Sequence, residues 1–448
     1  MQTSYLILGL ARSGLATLRW LLDQGSKVFV SDANPESVAL ASSEGGIPWT
    51  EGQKFSQLTA LIQSPGIPLD HPLTQAARAQ GIKIMGDVDL FRQNYPTAKI
   101  IGVTGTNGKS TTTTLIGHIL KNCNVPIAVG GNVGIPVMSL PKLPDNGVYV
   151  IELSSYQLEL STCLGLTIVA WTNITPDHLE RHKTMRDYVY AKSQIFASPT
   201  VPPQSIICVD DSYSKDLYNR MNAAHPGYFT PVSVVNPLRR GVFVYDGMLI
   251  DALAEERINL GEITQLKYLK GPHNYQNIAI AYGVSRKLGL NSDEIMAAIQ
   301  TFPGLAHRQE YVETRNGVIF INDSKATNAE AASHALKAYE NIYWILGGVA
   351  KSDGIDELLP LLERVKKAYL IGEASNRFAQ TLAGKIPYRL CLELEKAVRE
   401  AYTDAAAEGN GVVLLSPACA SFDQFKDFEC RGNAFKEIVN KLLESPQP

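Results

Sequence analysis

Short apolar runs recur along the chain, each closing on Gly, Ser, Thr or Asp and each followed by a longer stretch with helical spacing. The first are Tyr5-Leu-Ile-Leu-Gly9, Lys27-Val-Phe-Val-Ser-Asp32, Lys99-Ile-Ile-Gly-Val-Thr-Gly105 and Val148-Tyr-Val-Ile-Glu-Leu-Ser-Ser155. Runs without polar alternation are strands covered on both faces, so the alternation predicts an α/β protein with mostly parallel sheets. The rhythm lapses at 93–97, where Asn94-Tyr95-Pro96 has the composition of a linker, and again at Thr301-Phe302-Pro303-Gly304. It resumes with strands expected at 318–323, 342–348, 368–372 and 411–416. Three domains are therefore expected, at 1–93, 94–303 and 304–448, with the proline-rich 198–204 and polar 236–240 stretches as connections inside the second.

Size agrees: at ~150 residues per domain, 448 residues support about three cores. Lys plus Arg (41) against Asp plus Glu (44) leaves a net charge of -3, so nothing draws the chain toward nucleic acid or an anionic membrane. Any phosphate site must be local. The six cysteines, Cys123, Cys163, Cys208, Cys391, Cys419 and Cys430, contain no CxxC pair and suit reduced thiols. Residues 1–4 lead almost directly into an apolar run without a basic leader, so a cytoplasmic protein with no membrane insertion is expected.

The strongest chemical signal is Gly105-Thr-Asn-Gly-Lys-Ser-Thr111, placed between an apolar strand and a helix start. Such a loop wraps backbone N–H groups around phosphate oxygens, Lys109 can neutralise β/γ charge, and the Ser110 hydroxyl can ligate Mg²⁺. Val103 stands where a general phosphate loop has its first glycine, and a structural turn is the alternative. No Asn-Lys-x-Asp accompanies it, which argues against a switch GTPase. A second glycine turn, Leu8-Gly9-Leu-Ala-Arg-Ser-Gly14, keeps the outer glycines of a dinucleotide fingerprint but carries Ala11 at the middle, with Asp32 ending the next strand. This disfavours a nicotinamide oxidoreductase and leaves another nucleotide diphosphate or a plain turn open.

Glu152 follows an apolar strand at its carboxyl end, where it serves equally as a Mg²⁺ ligand or as a helix N-terminal carboxylate. His178, in Thr172-Asn-Ile-Thr-Pro-Asp-His178, is by composition more often structural, because Mg²⁺ prefers oxygen. Lys192, in Tyr188-Val-Tyr-Ala-Lys192, is by default a solvated helix cation.

Taken in order, several motifs make the chain resemble the Mur ligases of peptidoglycan synthesis. They are the 105–111 loop, Gly130-Gly-Asn-Val-Gly-Ile-Pro136, Glu152-Leu-Ser-Ser-Tyr-Gln-Leu158, Asp177-His178, Gly271-Pro-His-Asn-x-x-Asn277, His307-Arg308, Asp323-Ser-Lys-Ala-Thr-Asn328 and Ser416-Pro-Ala-Cys-Ala-Ser-Phe-Asp-Gln424. The last two resemble the glutamate-adding branch. The resemblance implies an N-terminal Rossmann-like UDP-binding domain, a central P-loop-type ATPase domain, and a C-terminal Rossmann-like domain that brings the amino acid and closes over the nucleotide. It implies ATP-dependent amide formation through an acyl phosphate, joining D-glutamate to UDP-N-acetylmuramoyl-L-alanine, by a monomer.

Residue roles follow from the same resemblance. Gly105, Thr106, Asn107, Gly108, Lys109, Ser110 and Thr111 would hold the phosphates, Asn274 and Asn277 the adenine surroundings, and Arg308 and Asp323 the triphosphate and ribose. Ser110, Glu152, His178 and Lys192 would serve two Mg²⁺ sites, Lys192 as a carbamate formed with CO₂; Lys109, Glu152, His178 and Lys192 would be catalytic. Arg12, Ser13, Asp32, Ser64, Gly66, Asn132, Ser154 and His178 would face the UDP substrate. Lys325, Thr327, Lys351, Ser416 and Phe422 would form the D-glutamate pocket. On residues alone, Ser416 could merely end a strand, Phe422 could pack in a core, and Lys325 and Lys351 could be surface cations. Two departures stand out: Gly347-Gly-Val-Ala350 precedes Lys351 where the family often has Asp-Gly, and Ala33-Asn34 lack a hydroxyl and guanidinium for uracil. A folate polyglutamate ligase would share the ATPase core but begin near the phosphate loop, and a nucleotide-sensing module would not need Lys109, Glu152, His178 and Lys192 together.

Overall fold

In the computed structural model, backbone is described for residues 3–444 except 51, 133, 162, 267, 270 and 351–353, and side chains to 442. Three sheets form, one in each expected segment. The first is wholly parallel, in the order Ile47–Pro48, Lys27–Ser31, Ser4–Leu8, Ala60–Gln63, Ile84–Met85. Gly14, in the first turn of helix Arg12–Asp23, is what lets that helix sit down on the sheet. A Cβ there would lie 2.0 Å from the Gly9 carbonyl oxygen.

The second sheet places the phosphate-loop strand Lys99–Thr104 between Val148–Glu152 and Ile168–Trp171, with Ile127–Gly131 outside Val148–Glu152. Beyond Ile168–Trp171 follow Gln204–Cys208, Phe229–Ser233 and Gly241–Tyr245, still parallel, and then Met248–Ala252 and Ile258–Glu262, antiparallel. Because the chain leaves Lys99–Thr104 toward one side and returns on the other, the carboxyl end of that strand is a topological switch point, the crevice where open α/β sheets bind ligands.

Helix Pro272–Lys287 packs on this sheet, anchored from the antiparallel margin. Buried Asp251 accepts from the Tyr282 hydroxyl (2.7 Å) and from Arg286 Nε (3.1 Å). We expect Asp251→Ala to lower stability by about 3 kcal/mol, since it strands a phenol and a guanidinium. The check is a drop in urea midpoint at unchanged m.

The stretch at 93–97 is no free tether. Helix Asp87–Asn94 ends inside it, and Tyr95 at the helix C-cap packs on Phe91 (ring centroids 4.7 Å apart) and Tyr149 (6.0 Å). Arg92 donates to the carbonyls of Ala98 and Gly165, both at 2.8 Å. First and second sheets thus share a core, and the chain divides into two compact units, Met1–Phe302 and Pro303–Pro448. The segment that has the composition of a linker is thus held in place by the ring of Tyr95.

The second unit contains the third sheet, in the order Glu310–Arg315, Val318–Asn322, Gly411–Leu415, Ile342–Gly347, Val365–Ile371, Tyr388–Leu392. Only the first pair is antiparallel.

Candidate active site

At the switch point, Gly108 caps helix Lys109–Asn122 with φ +82°, and a Cβ there would come 2.3 Å from Asn277 Oδ1. Asn277 is buried, accepts from the Thr112 hydroxyl (3.1 Å) and donates to Asn274 Oδ1 (3.1 Å). Asn277 therefore sits against the phosphate loop, and Asn274 is tied to it through Asn277. Lys109 Nζ folds back onto the carbonyls of Gly105 (3.0 Å) and Thr106 (2.7 Å). Ser110 and Thr111 are buried in the first helical turn. The loop is braced from 172–175: the Thr106 N–H donates to Asn173 O (2.7 Å), the Asn107 N–H to Asn173 Oδ1 (2.9 Å), and the Thr172 hydroxyl to Asn107 O (2.6 Å).

Glu152 ends Val148–Glu152, two residues before Ser154 caps the next helix, and is 2 % exposed. Its Oε1 accepts from Asn132 Nδ2 (2.8 Å), and its Oε2 is buried with no hydrogen-bond partner. An orphaned carboxylate oxygen in the interior is costly, and a cation is the natural way to satisfy it. Asn132 also donates its N–H to the Glu152 carbonyl (2.9 Å), so these two sequence-expected residues form one unit.

Lys192 is the clearest correction to composition-based reasoning: it is 1 % exposed, not a solvated helix cation. Its Nζ donates to the Gly105 carbonyl (2.8 Å), the same oxygen Lys109 contacts, and lies 4.8 Å from the centroid of the Tyr188 ring. Burial, reinforced by repulsion from Lys109, pulls its pKa from 10.5 down to about 7 despite nearby Asp177 and Glu152. Tyr188, itself buried, joins its hydroxyl to Thr106 Oγ1 (3.0 Å). His178 has φ +53° and starts helix Leu179–His182; its Nδ1 lies 3.1 Å from the Tyr156 hydroxyl. Ser154 caps helix Ser155–Leu160 in a reciprocal box with Gln157.

At the first sheet, Asp32 clasps the glycine turn: Oδ2 accepts from the Leu10 N–H (2.5 Å) and Oδ1 from the Asn34 N–H (2.8 Å). The Ser64 hydroxyl donates to the Gly9 carbonyl (2.7 Å), and Arg12 Nη2 reaches the Gly134 carbonyl (2.8 Å). Gly66 lies exposed beyond Ser64, and Ser13 is half-buried in the first turn of the helix that follows the glycine turn. Asn34 spends its side chain capping Pro35–Ser43, accepting from the Glu36 N–H.

In the second unit, Asp323 follows Val318–Asn322 and accepts from the Ser416 hydroxyl (2.7 Å) and the Gln309 N–H (3.1 Å). Burial pushes its carboxyl up to about 7. Ser416 thus does more than end its strand: two residues expected to hold different ligands hold each other. Arg308 is exposed between His307 (φ +62°) and Gln309 (φ +44°). Lys325 Nζ lies 5.9 Å from the Phe428 ring centroid, and the Thr327 N–H donates to the Lys325 carbonyl. Phe422 is 74 % exposed, which excludes a core role. Lys351 lies outside the described residues.

Sequence reasoning passed over Tyr188, Asn173, Ser421 and Arg431. Buried Arg431 ties the loops after two strands together, donating to the carbonyls of Ser324 (2.9 Å) and Cys419 (3.0 Å), while its Nη1 and the Ser421 hydroxyl are buried without partners. An arginine inside an amphipathic helix, Phe428–Glu444, carries no signal that separates it from a solvated one.

Three family models match: the Mur ligase MurD-like N-terminal domain over 3–86, the Mur ligase middle domain over 103–285, and the Mur ligase glutamate ligase domain over 307–419. A curated UDP-N-acetylmuramoylalanine--D-glutamate ligase of Caulobacter vibrioides is 46% identical, covering 97% of this chain and 95% of its own. The chain belongs to the Mur ligases. A second ligase of the same name, from Rhodospirillum rubrum, is 43% identical over 98% of this chain and 94% of its own. Solved Mur ligases share the fold: UDP-N-acetylmuramate-alanine ligase of Thermotoga maritima (TM-score 0.59, 17% identity, 99% of this chain and 100% of that one) and MurF of Acinetobacter baumannii (0.58, 16%, 98% and 93%). The match over 3–86 removes the folate-ligase alternative, which lacks such a domain. Among the described residues no helix is long and apolar enough to cross a membrane.

Proposed function

We propose that this chain joins D-glutamate to UDP-N-acetylmuramoyl-L-alanine with conversion of ATP to ADP and phosphate. The observation that carries this reading is identity with ligases of that name along nearly the whole chain, 46% over 97% of it. The chemistry is self-consistent. A carboxylate repels an amine, so the γ-phosphoryl group is first transferred to a carboxylate oxygen. The amine nitrogen then attacks the acyl carbon, the C–N bond forms, the C–O bond to phosphate breaks, and inorganic phosphate departs.

In this reading the domains run 1–93, 94–303 and 304–448. The 105–111 loop and Lys109 hold the phosphates, and Asn274 and Asn277 border the adenine. Arg12, Ser13, Asp32, Ser64, Gly66, Asn132 and Ser154 bind the UDP substrate. Arg308 and Asp323 serve the nucleotide, and Lys325, Thr327, Lys351, Ser416 and Phe422 serve D-glutamate. Ser110, Glu152, His178 and Lys192 suit Mg²⁺, and the buried Glu152 Oε2 lacks a partner. When bound, Mg²⁺ supplies charge neutralisation and alignment of two anionic reactants. Lys192 fits carbamylation because an amine with a pKa about 7 is substantially neutral near neutrality. Its lone pair can attack CO₂, losing one proton and turning a cation into an oxygen ligand.

The test is ADP release with UDP-N-acetylmuramoyl-L-alanine and D-glutamate, L-lysine, meso-diaminopimelate or no amino acid. Turnover is expected with D-glutamate alone, and ¹⁸O in the substrate carboxylate is expected to appear in phosphate. Turnover with a diamine and not D-glutamate overturns the specificity, and unlabelled phosphate overturns the acyl phosphate.

A further inference from the structure

The turn that carries His178 is not self-supporting. Helix Leu179–His182 is one turn long, entered through His178 at φ +53° and left through Lys183 at φ +65°. A single helical turn is unstable by itself, and positive φ is costly for an L-residue, so contacts from elsewhere in the fold must hold this segment. Two of its side chains supply them. His182 Nε2 lies 3.0 Å from the Ser155 hydroxyl oxygen. Arg181 reaches further: its Nε (3.1 Å) and Nη2 (2.9 Å) both donate to Glu159 Oε2 on helix Ser155–Leu160, and its guanidinium lies 5.3 Å from the ring centroid of Tyr156 on the same helix. At 16 % and 20 % exposed, the Arg181 and Glu159 side chains are largely out of water, where a charge-assisted pair is worth more than at the surface.

With its fork oriented in this way, Arg181 Nη2 also donates to the Ile67 carbonyl (3.1 Å). Ile67 lies in the turn that follows strand Ala60–Gln63 of the first sheet. The acceptor is fixed from its own side as well, because Gln63 Nε2 donates to the same oxygen (2.9 Å). That turn is in turn built onto the glycine turn. The Ser64 N–H donates to the Leu8 carbonyl (2.8 Å) and the Ile67 N–H to the Ser64 carbonyl (3.0 Å). A Cβ at Gly9 would lie 2.8 Å from Ser64 Cβ and 3.0 Å from Ile67 Cγ1. One guanidinium therefore joins the segment bearing His178 to the segment bearing Ser64 and Gly66.

We propose that Arg181, braced by Glu159 and Tyr156, is a positioning residue that ties the His178 turn to the 64–67 turn, holding the sugar-nucleotide substrate in register with the phosphate-transfer centre. A planar fork supported by a carboxylate and an aromatic ring can aim its remaining N–H at one carbonyl, which the freely rotating ammonium of a lysine does not do. The proposal rests on the reading in which Ser64 and Gly66 face the UDP substrate, and its first test does not depend on that reading.

Hydrogen–deuterium exchange on the ligand-free protein reads the tie directly. Arg181→Met, uncharged and apolar, is expected to speed exchange about 10-fold or more in both 64–67 and 179–183 and to leave 106–112 unchanged. Arg181→Lys is expected to fall between the wild type and Arg181→Met in both segments. Faster exchange in one segment only, or in neither, overturns the proposal. In turnover and calorimetric assays Arg181→Met is expected to raise KM and Kd for UDP-N-acetylmuramoyl-L-alanine about 10-fold, the worth of one charge-assisted hydrogen bond, and to lower kcat, with KM for ATP within about twofold. A lowered kcat with every KM unchanged and exchange faster throughout the chain is the signature of mere destabilisation and overturns it as well. Faster exchange confined to the two segments with substrate affinity unmoved leaves the tie standing and removes the reading of 64–67 as a substrate turn.

Discussion

Lys192→Ala is expected to lower turnover on the order of 10³-fold, about 4 kcal/mol of transition-state stabilisation, and short carboxylates such as formate or acetate are expected to restore part of it. The argument is geometric. The amine is 1 % exposed, touches the phosphate-loop carbonyl of Gly105, and cannot reach solvent to stay an ordinary ammonium. Truncation leaves a space the length of the lost stem beside Glu152, open to a small anion that replaces the carbamate oxygens. Lys192→Met fills that space, so it should be inactive and refractory to rescue. It should also be more stable to heat at neutral pH. With a folded pKa about 7 and an ordinary value of 10.5, the unfolded chain holds a proton that the folded chain lacks between those limits. Wild-type stability relative to Lys192→Met therefore rises as pH climbs through that window. Full activity of unrescued Lys192→Ala would sink the carbamate role, and a Met variant destabilised at neutral pH would sink the account of the buried amine.

Legibility of the sequence followed the physics of each signal. Buried parallel strands are legible because covering both faces demands uninterrupted apolar runs, and the strands Ser4–Leu8, Lys27–Ser31, Lys99–Thr104 and Val148–Glu152 lie within a residue or a few of their expected limits. The antiparallel margin was equally written in the chain: Tyr245-Asp246-Gly247-Met248 carries positive φ at both central residues, the Asp-Gly hairpin turn, and its alternation went unread. The joint at 93–97 misled because Asn-Tyr-Pro composition reports local turn propensity, whereas Tyr95 is committed by its ring to Phe91 and Tyr149. Lys192 and Arg431 were opaque for a related reason. Burial of a cation depends on what other segments bring to it, and a helix pattern of a few residues holds no record of that. His178 lies between these cases: its motif was visible, its partner Tyr156 was quoted inside another motif, and only the fold put the two within hydrogen-bond reach.

Gly108→Ala is expected to reduce kcat/KM for ATP by about 10²-fold or more while the chain remains folded. Two costs combine. The backbone is held at φ +82°, which costs an L-residue about 1–2 kcal/mol, and the new Cβ would meet Asn277 Oδ1 at 2.3 Å. Asn277 cannot retreat cheaply, since its carboxamide accepts from Thr112 and donates to Asn274. The helix N-terminus that must face phosphate is therefore displaced at its cap. Asn277→Ala alone should also weaken ATP use by removing that bridge. In the double variant the collision is gone and the backbone cost remains, so the combined loss should be smaller than the product of the two single losses. Calorimetric ATP binding and initial rates measured on all four proteins close the cycle. Single losses that simply multiply would mean that Gly108 and Asn277 act independently, and that the phosphate loop is shaped by its own backbone without the helix that carries Asn277.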